Sequence, residues 1–343
     1  MIETGRAGSR RVRMRDVATR AGVSAATVSR ALNNRPTVDP QLADRVRRVA
    51  ADLGYEPNRV ARSLRRQAGS VWALIISDIE NPFFTSVARG VEEVALHEGF
   101  SVVLCNTDEN IARERRYLDV VLAEQAAGVI IAPASDRTDI SVLRDHDVPV
   151  VTLDRRIRGA QVDSVVVDNH AGARQATSHL LGAGYRRIAC ISGPSKLTTA
   201  TERRKGYAAA LRAARQEVDR QLVRQTDFRV EGGYVAAGEL LDLAEPPDAF
   251  FVANNLMAAG AMRALRERGI DVPEQVGVVG FDDSPWAPLM APALTIVEQP
   301  TYLLGTEAAR LLRRRLADRS AAVEAVTLPT ELRVRDSSRG PQP

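Results

Sequence analysis

The spacing of hydrophobic residues changes near residue 70. Before that point, apolar residues recur three or four positions apart, which is typical of short helices. After it, compact apolar runs alternate with helix-length segments, and this pattern is typical of buried parallel strands covered by helices. The pattern therefore predicts a small helical domain followed by a larger α/β domain.

The first part of the chain predicts two helices joined by a tight turn. Val17 and Ala21 lie on one face of the first helix, and Val28 continues the apolar stripe on a second helix. The glycine-containing interruption between them, ending at Ser24, predicts a helix-turn-helix. The hydroxyl of Ser24 can accept from free N–H groups of the next turn, so we expect it to be the N-cap residue of the second helix.

A third helix and a linker follow. Asp39 and Pro40 provide an N-cap residue and a first-turn proline for this helix. Its apolar positions recur at helical spacing, at Leu42, Val46, Val49 and Leu53. The next segment, 58–68, is rich in arginine and too short and polar to fold alone, so we expect a linker that becomes helical only when bound.

Apolar runs of strand length begin at residue 71. Eight of them separated by helical segments predict doubly wound parallel sheets, and two lobes are favoured over a single sheet at this length. Ligands of such folds bind beyond the carboxyl ends of the strands. The predicted strands are 71–76, 101–105, 128–132, 148–153, 165–167, 188–191, 249–252 and 276–281.

Charge is distributed unevenly along the chain. The 343 residues carry a net charge of +4, but residues 1–69 hold 15 arginines, no lysine and six acidic residues, a net charge of +9. The remainder therefore carries −5. Because neutralising phosphate groups dominates nucleic-acid affinity, this local excess of arginine favours a nucleic-acid-binding head over an ordinary solvated helix face.

Several functional classes are disfavoured. The longest apolar run has six residues, whereas a membrane-spanning helix needs about 20, and the N-terminus lacks the apolar stretch of a signal peptide, so we expect a cytoplasmic protein. Phosphate-binding loops and nucleophile elbows are absent and the four histidines are scattered, so we expect no enzyme, no metal and no cofactor. Cys105 and Cys190 are expected to be buried free thiols.

The second predicted helix carries side chains suited to reading DNA. An α-helix fits the major groove, where Arg30 can bond bidentately to guanine. Ala25 and Ala26 at its start offer only methyl contacts, so base reading by hydrogen bonds should rest largely on Arg30. Short polar side chains that can reach phosphates or base edges lie beside it, at Thr27, Ser29 and Asn33.

A series of motifs runs through the chain in a set order. They are Met14-Arg15-Asp16-Val17-Ala18, Ala21-Gly22-Val23-Ser24, Thr27-Val28-Ser29-Arg30, Gly54-Tyr55, Pro57-Asn58, Asn81-Pro82-Phe83-Phe84, Val252-Ala253-Asn254, Gly280-Phe281-Asp282-Asp283 and Gln299-Pro300. In these motifs the chain resembles the LacI/GalR (lactose-repressor) family of bacterial transcription regulators, from about Met14 to Leu332. The resemblance implies a homodimer that binds a two-fold symmetric operator through its heads, with a core shaped like periplasmic sugar-binding proteins.

The resemblance also implies how the linker acts. In this family two hinge helices lie in the minor groove, and Leu64 matches the leucine that wedges into the central base step. Val60 and Ala61 match the facing surface of the paired helices. The residues expected to contact DNA are Arg15, Ser24, Ala25, Ala26, Thr27, Ser29, Arg30 and Asn33 in the head, and Asn58, Val60, Ala61 and Leu64 in the hinge.

The expected domains follow from these assignments. They are a helix-turn-helix head at 13–57, a hinge helix at 58–68, an effector-binding and dimerisation core at 70–335 and a disordered tail at 336–343. Within the core we expect an N-lobe of about 70–167 plus 299–330 and a C-lobe of about 168–298. Heptad leucines are absent after Leu332, so we expect a dimer without a C-terminal tetramerisation helix.

Family positions further imply an effector site between the lobes. They fall at Phe83, Phe84, Asp154, Arg203, Phe228, Asn254 and Asp282. Carboxylates accept from hydroxyl groups, arginine and asparagine donate, and aromatic faces cover the apolar side of a ring, so this set suits a neutral sugar. Trp286 is included as a residue that either stacks on the ligand or packs between subunits.

The resulting hypothesis is a DNA-binding repressor that is released by a sugar or sugar derivative. One alternative is a regulator of the same fold whose ligand is a corepressor that tightens DNA binding. An alternative of another class is a periplasmic-type sugar-binding protein, which the basic head and the missing signal peptide disfavour.

Overall fold

The computed structural model describes residues 14–32, 39–53 and 71–340. The chain divides into two compact units, Met1–Gln67 and Ala68–Pro343. No helix in these described ranges is long and apolar enough to cross a membrane.

The first unit is a helical head with a small core. Val17, Val28 and Val46 each bury their side chains completely, and alanines on the same faces complete the cluster. The helices that contribute them are α1 (Met14–Ala21), α2 (Ala25–Leu32) and α3 (Pro40–Asp52).

Local hydrogen bonds fix the ends of these helices. Gly22, between α1 and α2, has φ +67°, a conformation that glycine adopts at little cost. The Ser24 hydroxyl accepts from the backbone N–H of Thr27 at 3.1 Å, and the Asp39 carboxylate accepts from that of Leu42 at 3.0 Å. Both predicted caps are confirmed. The predicted hinge at 58–68 lies outside the described residues.

The second unit alternates strands and helices. Its helices are α4 (Pro82–His97), α5 (Ile111–Ala123), α6 (Ser141–Asp145), α7 (Asn169–Gly182), α8 (Thr198–Ala213), α9 (Val230–Leu241), α10 (Asn255–Glu267) and α11 (Thr301–Ala317). Its strands are β1 (Val71–Ile76), β2 (Ser101–Asn106), β3 (Gly128–Ile131), β4 (Val150–Leu153), β5 (Asp163–Val167), β6 (Ile188–Ser192), β7 (Val223–Gln225), β8 (Ala249–Val252), β9 (Gly277–Phe281), β10 (Thr295–Glu298), β11 (Ala325–Leu328) and β12 (Glu331–Arg333).

The strands form two six-stranded sheets, one in each lobe. The N-lobe sheet has the order β11-β5-β4-β3-β1-β2 and the C-lobe sheet the order β12-β10-β9-β8-β6-β7. Neighbouring strands pair in parallel except β10 and β12. In β1, Leu74 and Ile76 pack into a hydrophobic cluster on one face, whereas Ala73 and Ile75 pack into another on the opposite face. This alternation shows that helices cover both faces of the N-lobe sheet.

All eight predicted strands are present, but four others were not predicted. These are β7, β10, β11 and β12, each of three or four residues. The described chain crosses between the lobes after β5, β10 and β11, so each sheet contains strands from distant parts of the sequence. Because β12 belongs to the second sheet, the C-lobe includes a segment beyond its predicted end at 298.

The prediction of a disordered tail at 336–343 is wrong for residues 336–340. Ser337 and Ser338 are fully buried in a short 3₁₀ turn. The Ser337 hydroxyl donates to the carbonyl of Val278 at 2.7 Å and accepts from the backbone N–H of Thr295 at 2.8 Å. The polar composition of this segment therefore reflects hydrogen bonds to β9 and β10 rather than exposure to solvent.

Both cysteines are buried and free, as predicted. Cys105 lies in β2 and Cys190 in β6, and burial raises the pKa of both thiols, that of Cys190 to about 12. Because the thiolate is the reactive form, both side chains remain inert near neutral pH.

The tail contact leads to a stability prediction. Ser337→Ala leaves the buried N–H of Thr295 without its acceptor, so the free energy of unfolding of the C-lobe should fall by about 1–3 kcal/mol. Urea unfolding followed by circular dichroism measures the change. Ser320→Ala is the control, because Ser320 is exposed and its hydroxyl donates only to nearby Asp318. Equal midpoints for the two variants would refute the structural role of the tail.

Candidate functional site

The outer face of the head carries the exposed residues that the sequence singled out. Arg15 and Arg30 are exposed, whereas Val28 and Ala31 of α2 are buried in the head core. α2 therefore presents the side of Arg30 to solvent. Ser24 and Thr27 share a hydrogen bond of 2.9 Å between their hydroxyls. The other predicted DNA contacts lie outside the described side chains, namely Ala25, Ala26, Ser29, Asn33, Asn58, Val60, Ala61 and Leu64.

A cavity lies between the two lobes, where the parallel strands of both sheets end. Its empty volume is about 450 Å³, which includes space open to solvent. It is lined by Asp78, Asn81, Phe83, Phe84, Glu109, Asp154, Arg155, Thr199, Arg203, Asp227, Phe228, Arg229, Asn254, Asp282 and Gln299.

Most of the predicted effector residues meet in this cavity. Phe83 and Phe84 lie in the first turn of α4, Asp154 follows β4, Asn254 follows β8 and Asp282 follows β9. Arg203 from α8 and Phe228 after β7 complete the set. Trp286 lies elsewhere: it is partly buried against the hydrophobic core of the C-lobe.

The remaining lining residues were not predicted. Asp78 follows the end of the predicted strand β1, so the rule that ligands bind beyond strand ends contained a signal for it. Gln299 follows β10, which was not predicted, but it belongs to the quoted motif Gln299-Pro300. Asn81 belongs to the quoted motif Asn81-Pro82-Phe83-Phe84 and caps α4, its side chain accepting from the N–H of Phe83. The same rule covers Arg155, which lies two residues after the predicted strand β4. Local patterns give no signal for the others, Glu109, Thr199, Asp227 and Arg229.

A buried ionic cluster forms the N-lobe wall. The guanidinium of Arg155, 4% exposed, donates to both carboxylate oxygens of Glu109 at 2.8 and 2.6 Å and to the hydroxyl of Ser77 at 3.0 Å. Its Nε lies 3.1 Å from Oδ2 of Asp154. Burial opposes the charge of Arg155, but Glu109 and Asp154 raise its pKa beyond its ordinary value. Arg155 is therefore a fixed cation committed to protein carboxylates.

Asp154 differs from Arg155 in that its charged form is disfavoured. Its burial raises the pKa of the carboxyl group, although Arg155 and Arg203 favour the ionised form. A buried carboxylate gains from additional hydrogen-bond donors, since each compensates part of its lost hydration. Ligand hydroxyl groups in the cavity can provide such donors.

Arg203 organises the C-lobe wall. Its Nε donates to Oδ1 of Asn169 and its Nη1 to the carbonyl of Ala253, both at 2.7 Å. Its guanidinium lies 3.7 Å from the ring centroid of Phe281 and 3.5 Å from the carboxylate of Asp282. These contacts hold Arg203 rigidly with one edge toward the cavity.

Four lining residues have left-handed backbone conformations. Glu109, Asp154, Phe228 and Asp282 have φ values of +56°, +64°, +60° and +72°. Such conformations are uncommon outside glycine and concentrate at functional sites, where the surrounding structure enforces them. At each of these positions the chain turns sharply after a strand, which directs the side chain into the cleft.

Some of the described lining residues carry buried polar side-chain atoms that have no hydrogen-bond partner. Within the described structure, Oγ1 of Thr199 and Oε1 of Gln299 are buried without a hydrogen-bond partner. The amide nitrogen of Gln299 already donates to Asp282. Because unpaired buried polar atoms are costly, a hydrogen bond from a ligand hydroxyl group to either oxygen would compensate that cost.

Aromatic side chains provide apolar walls. Phe83 and Phe84 pack edge to face, with centroids 4.9 Å apart and an interplanar angle of 89°. The ring of Phe228 lies directly over Gly193, where a Cβ atom would overlap it. The cavity thus combines flat apolar surfaces with hydrogen-bonding groups, as recognition of a polyhydroxylated ring requires.

Comparison with known proteins identifies the family. Residues 13–58 match "Bacterial regulatory proteins, lacI family", and residues 177–338 match "Periplasmic binding protein-like domain". The ribose operon repressor of Halalkalibacterium halodurans is 38% identical over 330 residues, which cover 95% of this chain and 97% of that relative. The chain belongs to the lacI family of bacterial transcription regulators.

Solved structures agree with this assignment. The transcriptional regulator CelR in complex with cellobiose is 37% identical, with a TM-score of 0.74 over 95% of this chain and 100% of that one. The lac repressor dimer bound to operator and the anti-inducer ONPF is 28% identical, with a TM-score of 0.86 over 96% and 99%. The predicted fold of this regulator, a helix-turn-helix head and a periplasmic-binding-protein-like core, is confirmed.

The contact between Phe228 and Gly193 leads to a second prediction. Gly193→Ala should displace the Phe228 ring from the cavity wall, and this overpacking should lower the free energy of unfolding by about 1–3 kcal/mol. Thermal unfolding measures the loss. Gly182→Ala in α7 is the matched control, since a Cβ there meets no atom within 4 Å, and it should be neutral or stabilising. A neutral result for Gly193→Ala would show that Phe228 is not held in the described position.

Proposed function

We propose that this lacI-family regulator is a repressor that binds a palindromic operator as a homodimer and is released by a small, neutral sugar. The observation that supports a neutral effector is that each arginine in the cavity wall is already paired with groups of the protein. Arg155 is paired with Glu109 and Asp154, Arg203 with Asn169 and Asp282, and Arg229 with Asp78 and Asp108.

This pairing disfavours an anionic effector. A sugar phosphate or a dicarboxylate needs cations that are free to pair with it, and here it would instead meet carboxylates. A neutral sugar uses what remains: carboxylates that accept from its hydroxyls, the hydroxyl of Thr199, and the amide oxygen of Gln299. Relatives named as ribose operon repressors, from Halalkalibacterium halodurans and Bacillus subtilis, make D-ribose the first sugar to test.

The cavity also supports a mechanism of release. Asp154 belongs to the N-lobe, whereas Arg203, Asn254 and Asp282 belong to the C-lobe, so one sugar ring contacts both lobes and stabilises their closed arrangement. In our proposal, closure lowers operator affinity through the dimer and the hinge. Thermodynamic linkage then requires that operator binding lower sugar affinity by the same factor.

The homodimer is supported by an apolar surface around the edge strand β2. We name it the β2 edge surface, and its members are each between 38% and 67% exposed: Ile79, Leu96, Val103, Leu104, Ile111 and Val120. An exposed edge strand flanked by apolar side chains is prone to pairing with another chain. A second copy of the protein that covers this surface removes the exposure of its apolar side chains.

Because operator DNA lies in the cytoplasm, we propose that the protein acts there.

A titration decides whether the ligand weakens or tightens operator binding, and whether the ligand is neutral or anionic. Operator DNA selected from a randomised pool is mixed with the full chain, and a gel shift follows the complex as D-ribose or ribose 5-phosphate is added. The neutral sugar should dissociate the complex and the phosphate should not. Tighter DNA binding with sugar would instead indicate a corepressor, and a response only to the phosphate would refute the neutral effector.

Asp154→Asn should impair the response to sugar while leaving operator binding intact. The amide keeps the shape of the side chain but lacks the charge, and lost charge-assisted hydrogen bonds of about 1.5–3 kcal/mol predict sugar affinity weaker by roughly tenfold to hundredfold. Isothermal titration with D-ribose measures the loss, and the gel shift measures operator affinity. Asp145→Asn, at an exposed position at the end of α6, is the control. Unchanged sugar affinity in Asp154→Asn would exclude this carboxylate from the site.

Val103→Asp should convert the dimer to a monomer, because it places a charge on β2, within the β2 edge surface. Sedimentation velocity measures the mass, and operator affinity should fall because the two heads no longer bind as one unit. Val323→Asp is the control, since Val323 is 45% exposed and lies after α11, outside this surface. A Val103→Asp variant that remains dimeric would place the interface elsewhere.

A further inference from the structure

One arginine spans the mouth of the cavity from lobe to lobe. Arg229, just before α9 in the C-lobe, donates through Nη1 to Oδ2 of Asp78 at 2.6 Å and through Nη2 to Asp108. Asp78 follows β1 and Asp108 follows β2, so both partners belong to the N-lobe. We call these three residues the mouth strap.

The topology places the mouth strap far from the segments that join the lobes. The chain crosses between lobes next to β5 and β11 of one sheet and β10 and β12 of the other. β2 is the opposite edge strand of the N-lobe sheet, and β7, which precedes Arg229, is the opposite edge strand of the C-lobe sheet. The lobes open by rotating about the crossings, and a contact at these edges lies far from them. Such a contact therefore resists opening effectively.

Local structure holds the three side chains in position. The backbone N–H of Arg229 donates to Asp227 at 3.1 Å, and the second oxygen of Asp108 accepts from Arg113 of the N-lobe at 3.1 Å. The residues next to the contact are conformationally constrained, because Asp108, Glu109 and Phe228 have φ values of +57°, +56° and +60°. Both ends of the mouth strap are thus pre-positioned to meet.

Asp78 and Arg229 also line the cavity, together with Glu109 and Asp227. A ligand enclosed by the closed lobes lies behind the mouth strap. A ligand that extends toward the β2 and β7 edges must break the ion pair and leave its charges partly desolvated, which is costly. The ion pair therefore limits the size of the ligand and also stabilises the closed arrangement of the lobes.

We propose that Arg229 is a specificity-determining residue: by pairing with Asp78 and Asp108 across the cleft, it retains the effector and limits it to a single sugar ring. This inference rests on the proposed function for its ligand, a neutral sugar. The Arg229 side chain is 32% exposed, so the pair is partly screened by salt, and its contribution to sugar affinity is roughly three- to tenfold.

The test compares Arg229→Ala with Arg224→Ala in the full chain. Arg224 lies on β7, is similarly exposed at 26%, and pairs with Glu239 inside the C-lobe at 2.8 Å, so it controls for the loss of a charge. Titrations use D-ribose and cellobiose at low and high NaCl. Wild type and Arg224→Ala should bind D-ribose in a salt-dependent manner and discriminate strongly against cellobiose.

Arg229→Ala should bind D-ribose three- to tenfold more weakly, lose the salt dependence and discriminate less against cellobiose. Arg229→Lys, which can reach one carboxylate at a time, should be intermediate. Unchanged D-ribose affinity and salt dependence in Arg229→Ala would overturn the proposal, as would equal effects of Arg224→Ala.

A measurement without sugar separates this inference from the proposed function. Small-angle X-ray scattering should give Arg229→Ala a larger radius of gyration than wild type and Arg224→Ala, because the cleft opens. If neither sugar binds wild type, the proposed effector class fails, and the radius of gyration alone decides whether the mouth strap holds the lobes together. Identical radii for all three proteins would then refute it.

Discussion

The repeated crossing of the chain between its lobes is the constraint on which the core depends. Each lobe borrows its last strand from the C-terminal part of the sequence, β11 for the N-lobe and β12 for the C-lobe. Neither sheet is complete until the whole core has folded, and the crossings lie side by side at one end of the cleft. They define the axis about which the lobes can move, and they bring the carboxyl ends of two parallel sheets face to face. The cavity is a consequence of this arrangement.

Charge pairing is the basis of the proposed preference of the cavity for a neutral ligand. Five carboxylates and three guanidinium groups line it, and each guanidinium is already engaged by the protein. In our proposal, the cations of this wall position carboxylates rather than attract anions. The two parts of the chain carry opposite net charges for a related reason. The excess of arginine lies in the first 69 residues, where DNA phosphates are the partner, while the core is net acidic.

Sequence patterns predicted those features that depend on local periodicity or on motifs. Eight strands were found because they are continuous apolar runs, whereas β11, with alternating exposed and half-buried residues, and the three-residue β12 lack this signature. Seven cavity residues followed from family positions. Arg155 and Arg229 were missed because their roles arise from partners 46 and 151 positions away, a relation that spacing along the chain does not encode. The burial of Ser337 was not predicted for the same reason, since its hydrogen-bond partners Val278 and Thr295 are 59 and 42 positions away.

Strand β1, which lies beside the edge strand β2, constrains how the N-lobe can move. β1 begins at Val71, and cavity residue Asp78 follows its end, about 20 Å away for six residues of extended chain. All but the first residue of this strand are buried between two hydrophobic clusters, and such close-packed interiors deform little. A signal cannot travel by stretching or bending β1. We infer that the N-lobe moves as a rigid body when the cleft opens or closes.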